Sequence, residues 1–279
     1  MIYYHLPGLF EYFDIYKILI DIFQNEPHKF RDVQIGSIYG APADCLWNGG
    51  RTGYNSESDV FEVASWAQSY RINCALTFTN CLLEKKHFQD KNCNALMRLF
   101  HREGNSITIF SDDLKNYIQN ICPKYKFTSS TTKCLRDLDS ILEEAKQYDI
   151  VVLDYNFNCQ EEFLRDLEDK EKYELLVNSV CNPECPRRFE HYIEISEFGL
   201  SLRDEHAIFC PCQRKKFWEI LDNPTVLKIE DIYRYEEMGF SHFKIEGRTI
   251  HFADLIEILV YYMVKPEYQI EIRQRLTYS

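Results

Sequence analysis

Lys172–Arg188 reads KYELLVNSVCNPECPRR, and it contains the unit from which a fold can be argued. Tyr173–Val177 is a short apolar run without glycine or proline, the pattern of a strand covered on both faces. A loop carrying Asn178, Cys181 and Cys185 follows, and Pro186 with Arg187 and Arg188 then opens a helix, where a proline is tolerated in the first turn. Strand, polar loop and helix are expected to recur if the chain is a parallel α/β protein.

They do recur. Upstream lie the apolar runs VQIGSIYG (33–40), CALTFTN (74–80), SITIFS (106–111), YKFTSST (125–131) and DIVVLDYN (149–156); downstream lie TVLKIE (225–230) and HFKIEGR (242–248). Helical spacing fills the intervals, as in 57–70, 82–102, 112–120, 133–147, 161–169 and 231–238. A closing helix covers 252–262, and an amphipathic helix over 9–25 precedes the first of these strands. Eight strand–helix units predict a (β/α)₈ TIM-like barrel, irregular or incompletely closed, with an N-terminal helix and with residues 1–279 in one domain. The alternative is an open doubly wound sheet. Against it, GGRTG after the first run lacks the G-x-G-x-x-G spacing of a dinucleotide turn.

Composition narrows the function classes. The chain has 279 residues, 27% charged and 45% hydrophobic, with a formal net charge of −12. Such an acidic field opposes a general nucleic-acid surface, which needs Lys and Arg against phosphates. No apolar run reaches the roughly 20 residues needed to span a bilayer. MIYYHLPGLFEYFD has no basic export signal. A soluble cytoplasmic protein without membrane contact is expected. Reduced thiols are then expected for its 11 cysteines, and most of them (Cys74, Cys93 and Cys122 among them) read as small buried hydrophobes.

In a barrel, active-site groups come from the carboxyl ends of the strands. Those ends carry Asn48 and Arg51, Asn80, Ser111 and Asp112, Ser130 and Thr131, Asp154 and Asn156, Asn178 and Cys181, Glu230, and Glu246 with Arg248. Ser111, Asp112 and Ser130 also suit helix caps, whereas Arg51, Asn178 and Arg248 are harder to read as caps; Asn48, Arg51 and Asn178 are candidates for binding substrate. Asp154, Glu246 and Arg248 are the candidate catalytic residues, the two carboxylates being available for acid–base work.

Two close cysteine pairs call for a further function. Cys181-x₃-Cys185 and Cys210-x-Cys212 supply four thiolates from two loops, a donor set for an iron–sulfur cluster or for zinc. Cys45 and Cys134 are substitutes if one of the second pair points away. Arg187 and Arg188 at the start of the helix after the cysteines, with His191 one turn later, are further candidates for holding an anion. No G-x-S-x-G or H-E-x-x-H is present.

Phe243-Lys244-Ile245-Glu246-Gly247-Arg248, preceded by Glu230–Gly239 and followed by a long helix, resembles the closing segment of the collagenase-like peptidases, peptidases of unknown mechanism. Cys181 and Cys185 fall where members of that family keep cluster-binding cysteines. The resemblance implies a barrel, and in several branches a 4Fe-4S cluster supporting oxygen-independent hydroxylation of RNA bases or quinone precursors. It therefore implies an iron–sulfur enzyme acting on a small or nucleotide-like substrate. A metal-dependent hydrolase, or a non-catalytic barrel with structural zinc, are the alternatives. This chain departs from the family's glycine-flanked cysteine pair, with VNSVCNPECPRR in its place.

Overall fold

The computed structural model describes residues 1–49, 59–202, 216–248 and 250–277. The elements follow one another as β1 (Ile2–Pro7), α1 (Phe13–Asn25), β2 (Val33–Gly40), α2 (Val60–Ser69), β3 (Cys74–Phe78), α3 (Lys91–Leu99), β4 (Ser106–Ile109), α4 (Asp112–Ile121) and β5 (Lys126–Ser129). Then come α5 (Leu138–Gln147), β6 (Ile150–Val152), α6 (Glu161–Asp166), β7 (Tyr173–Leu176), α7 (Arg188–Gly199), α8 (Phe217–Ile220), α9 (Ile229–Glu237), β8 (His242–Lys244), α10 (Phe252–Met263) and α11 (Gln269–Thr277). The eight strands pair in sequence order, all parallel, and β8 returns to β1 through Tyr3 opposite His242 and His5 opposite Lys244. The sheet is a closed (β/α)₈ barrel, as the strand–helix alternation predicts.

The first strand is not the expected one. IYYHLP at the very start forms β1 and closes the ring, so the helix at 13–25 follows a strand instead of preceding the barrel. TVLKIE, expected as a strand, is not one. Leu227 N–H donates to Val177 O at 2.8 Å, and Lys228 N–H, taken by Asp231 Oδ2 at 2.9 Å, starts α9. Its Thr225, Val226 and Leu227 are buried, which accounts for an apolar run outside the sheet. The two errors cancel in the count, and the predicted sixth strand is β7.

Side-chain alternation along the strands makes two cores. Tyr4 of β1 packs outward on Tyr262 of α10, with ring centroids 5.9 Å apart, and Ile2 and Leu6 share its side of the strand. The complementary set, Tyr3 and His5, points into the barrel with His242 and Lys244 of β8. That interior is polar. Lys244 Nζ donates to Glu174 Oε1 at 2.8 Å, and His5 Nε2 lies 3.4 Å from Glu174 Oε2. His5 Nε2 is also 3.0 Å from His242 Nδ1, and its Nδ1 is 2.8 Å from Ser37 Oγ. Buried ions need such partners, because each one unpaired would cost several kcal/mol of desolvation.

The helices begin where local caps allow. Asp59 accepts from Phe61 and Glu62 N–H, Asp90 from Cys93 N–H, Ser111 from Leu114 N–H and Asp137 from Ser140 N–H. Ser111 thus serves as the cap that its residue type suggests. Among the described residues, no helix is long and apolar enough to cross a membrane.

Candidate functional site at the barrel mouth

The carboxyl ends of the strands surround a cavity of about 60 Å³. Thr77 and Thr79 of the β3 exit, Thr108, and Ser130–Thr132 after β5 line one side. Tyr39, Lys244, Glu246 and Arg248 line the other, with Val152, Leu176 and Tyr192 completing the wall. Such a volume takes a carboxylate- or phosphate-sized head group, well short of the roughly 300 Å³ at which ligand pockets begin.

Arg248 reaches into this space from the end of β8. Its Nη1 donates to Thr77 Oγ1 at 2.9 Å and to Asn48 Oδ1 at 3.1 Å, and its Nη2 to Gly49 O at 3.3 Å. All three acceptors are neutral. Among the described residues no carboxylate neutralises this guanidinium, unlike Lys244 on Glu174 or Arg188 on Asp154. Two polar atoms beside it are buried without a hydrogen-bond partner among the described residues, Asn48 Nδ2 and Thr79 Oγ1. A cation with donors left over is the arrangement that receives an anion.

Gly49 holds this corner by its lack of a side chain. A Cβ there would stand 2.5 Å from Asn80 N and 2.6 Å from Asn80 Cα. The loop after β2 lies directly on the backbone after β3, and Asn80 N–H donates to Trp47 O at 3.1 Å. Only a glycine permits that approach.

A second cluster sits at the β6 and β7 exits. Arg188, in the first turn of α7, is buried and donates Nη1 to Asp154 Oδ2 at 2.7 Å, Nε to Tyr192 OH at 2.9 Å and Nη2 to Thr131 Oγ1 at 2.9 Å. Its guanidinium also lies over the Tyr155 ring, 4.3 Å from the centroid. Burial opposes the charge, but Tyr192 and Asp154 outweigh it and hold the Arg188 pKa well above its ordinary value. Asp154 is occupied on both oxygens. Oδ1 accepts from Asn156 N at 3.0 Å and Nδ2 at 2.6 Å, while Oδ2 takes Arg188 and has Arg136 Nε at 3.3 Å. Asp154 thereby anchors Arg188 and Arg136 at the end of β6.

Cys181 and Cys185 lie behind this pair, both buried in a small cluster with Val152, Tyr155 and Leu176. The loop joining them is fixed by Asn156. Glu184 N–H donates to Asn156 Oδ1 at 2.8 Å while Glu184 takes a left-handed φ of 51°. Arg136 pairs with the Glu184 carboxylate, Tyr155 O–H donates to Asn182 O at 2.7 Å, and Asn223 Nδ2 to Cys181 O at 3.3 Å. Burial pushes the Cys134 thiol up to about 11, with Arg188 opposing the rise and Asp154 adding to it.

Several expected roles change once the contacts are known. Asn178 spends its amide on the Glu246 backbone, donating to its O at 2.9 Å and accepting from its N at 2.8 Å. It braces the ends of β7 and β8 and has little left for a substrate. Arg187 pairs with Glu190 at 2.9 Å and Glu194 at 3.4 Å along α7, and the arginine turned inward is its neighbour Arg188. His191 is buried on α7. Glu230 belongs to the first turn of α9 and not to a strand exit. Cys45 lies 3.5 Å from Cys93, sulfur to sulfur, and is committed to α3. Arg51, Cys210 and Cys212 lie outside the described residues. Among the described residues no three His, Cys, Asp or Glu side chains converge as metal ligands.

Sequence reasoning missed Arg136, Thr77 and Thr79, and it named Arg188 only together with Arg187, as one basic pair. Arg187 and Arg188 are adjacent with identical chemistry, so only the helix phase separates them. The threonines sit in CALTFTN at alternate positions, a period-two polar set pointing into a barrel.

No family model matches the chain, and no curated protein matches it significantly. Among solved structures it is similar to the U32 peptidase Mk0906, with a TM-score of 0.55 at 10% identity over 88% of this chain and 93% of that one. At that identity the likeness is one of fold.

Proposed function

We propose that the chain is a divergent member of the collagenase-like (U32) peptidase family whose barrel mouth binds a small or nucleotide-like anionic substrate. The observation that carries the substrate class is Arg248, which among the described residues has only neutral acceptors and stands beside Thr79 Oγ1 and Asn48 Nδ2, both buried without a partner among those residues. Arg248 would bind the anionic group, and the threonine hydroxyls would complete its hydrogen bonds. Glu246 lines the same cavity and is the carboxylate that could move a proton there. Asp154 positions Arg188 and through it the start of α7.

The cofactor proposed is a 4Fe-4S cluster on Cys181, Cys185, Cys210 and Cys212. Two observations agree with such a group: the first two thiols are buried together, and Val152, Tyr155 and Leu176 screen them from water. When bound, the cluster would supply one-electron chemistry for an oxygen-independent hydroxylation. Asp154 is saturated by two arginines and an asparagine, which weighs against a hydrolase using it as a base. Anaerobic purification and reconstitution, with visible absorption and iron and sulfide analysis, tests the proposal. Stoichiometric zinc in place of iron would support the structural-zinc alternative, and a protein that takes up neither would refute the cysteine site.

A further inference from the structure

A second pair of thiols lies away from the barrel mouth. Cys45, in the loop after β2, and Cys93, in the first turn of α3, have sulfurs 3.5 Å apart, and both side chains are buried. Both belong to the wall of a groove of about 590 Å³ whose other walls include Pro42, Val60, Phe61 and Leu96. Phe61 is 72% exposed at its edge. The sulfurs are therefore in contact with each other, and the two residues that carry them line a space large enough to admit a small reagent.

We propose that Cys45 and Cys93 form a reversible dithiol–disulfide site that a small-molecule disulfide oxidises through this groove. The separation of 3.5 Å must close to about 2.05 Å, a change within reach of side-chain rotation and a small loop shift. Cys45 lies in a loop and keeps 7% of its surface in water against 1% for Cys93, which is held in the first turn of α3, so Cys45 is the attacking sulfur and Cys93 the resolving one. Cys45 gives up its proton and attacks one sulfur of the reagent. The reagent's S–S bond breaks, and one reagent thiol leaves carrying that proton. Cys93 then attacks the Cys45 sulfur of the mixed disulfide, releasing the second reagent thiol with its own proton. Two protein thiols are oxidised and one disulfide is reduced, so the electrons balance.

The location connects this chemistry to the mouth. Asn48 N–H donates to Cys45 O at 2.9 Å, and Asn48 Oδ1 accepts from Arg248. Linking Cys45 to α3 would fix the loop that presents Asn48 and Gly49 to that arginine. The proposal is independent of the cluster and of the substrate.

The test is incubation of the native chain with glutathione disulfide, alkylation of remaining thiols, and peptide mapping by mass spectrometry. The expected product is a Cys45–Cys93 cross-linked peptide lacking two hydrogens, reversed by dithiothreitol. With Cys93→Ser the expected product is a stable glutathione adduct on Cys45, because nothing resolves it. Exposed Cys159 reports that the reagent was active. A modified Cys159 alongside fully alkylatable Cys45 and Cys93 overturns the proposal, as does a persistent glutathione adduct on Cys45 while Cys93 is intact.

Discussion

Arg188 Nη1 lies 2.7 Å from Asp154 Oδ2, and neither side chain retains more than a few per cent of its surface in water, 3% and 0%. The pair ties the start of α7 to the end of β6 across the mouth, with the loop of Cys181 and Cys185 packed against it. Asp154→Asn would leave a buried guanidinium without its counter-charge. Breaking such a pair costs about 3–5 kcal/mol, and urea unfolding at neutral pH is expected to show a loss of that size. The double variant Asp154→Asn with Arg188→Met is expected to lose less than Asp154→Asn alone; an equal or larger loss would show that the ion pair is not what holds α7.

Acid should weaken the barrel from within. Burial lowers the His5 pKa to about 4, with Glu174 opposing that shift and His242 and Lys244 adding to it. Its neighbours are Glu174 of β7, His242 and Lys244 of β8, and Ser37 of β2. The unfolded chain, with an ordinary histidine, then binds the proton more readily than the folded one. Stability conferred by neutral His5 is complete above about pH 6.5 and falls as pH drops toward about 4, by on the order of 3 kcal/mol. Burial lowers His242 likewise, so it acts in the same direction. Burial opposes the Glu174 charge, yet Lys244 and His5 keep its pKa below the usual value, adding a loss at still lower pH. Urea midpoints across this range measure the slope, and His5→Gln is expected to flatten it.

Gly49→Ala tests the close approach of the loops after β2 and β3. The new Cβ would meet backbone atoms of Asn80 at 2.5–2.6 Å, which no rotamer change relieves. Overpacking of this kind costs about 1–3 kcal/mol, and calorimetric melting is expected to show the corresponding fall. An unchanged Tm would mean that the loops are not held together as described.

Arg248→Gln should affect binding more than folding, since Asn48 and Thr77 remain hydrogen-bonded to each other at 3.1 Å. Inorganic phosphate or citrate, titrated calorimetrically, is expected to bind the native chain and to lose about tenfold or more in affinity with the variant, the worth of one charge-assisted hydrogen bond. Equal affinities would remove Arg248 from the anion site.

For the cysteines at the β7 exit, Cys181→Ser and Cys185→Ser are each expected to abolish iron retention after anaerobic reconstitution, whereas Cys45→Ser should retain it. Iron content per chain decides the matter. Retention by both β7-exit variants would place any metal elsewhere.

Periodicity and order, which are local, were enough to read a parallel ring of strand–helix units and the rim where polar groups gather. The first strand was present too, as alternation in IYYHLP, but six residues at a chain end do not show what they pair with until β8 arrives beside them. TVLKIE had the composition of a strand because it is buried, and burial does not by itself require a ladder. The tertiary structure alone decided that Arg188 rather than Arg187 turns inward, that Asn178 braces a backbone, and that Cys45 faces Cys93. Each of these depends on contacts between residues 34 to 68 positions apart, set by the phase of a helix or the closure of the barrel, and such distances leave no trace in neighbouring sequence.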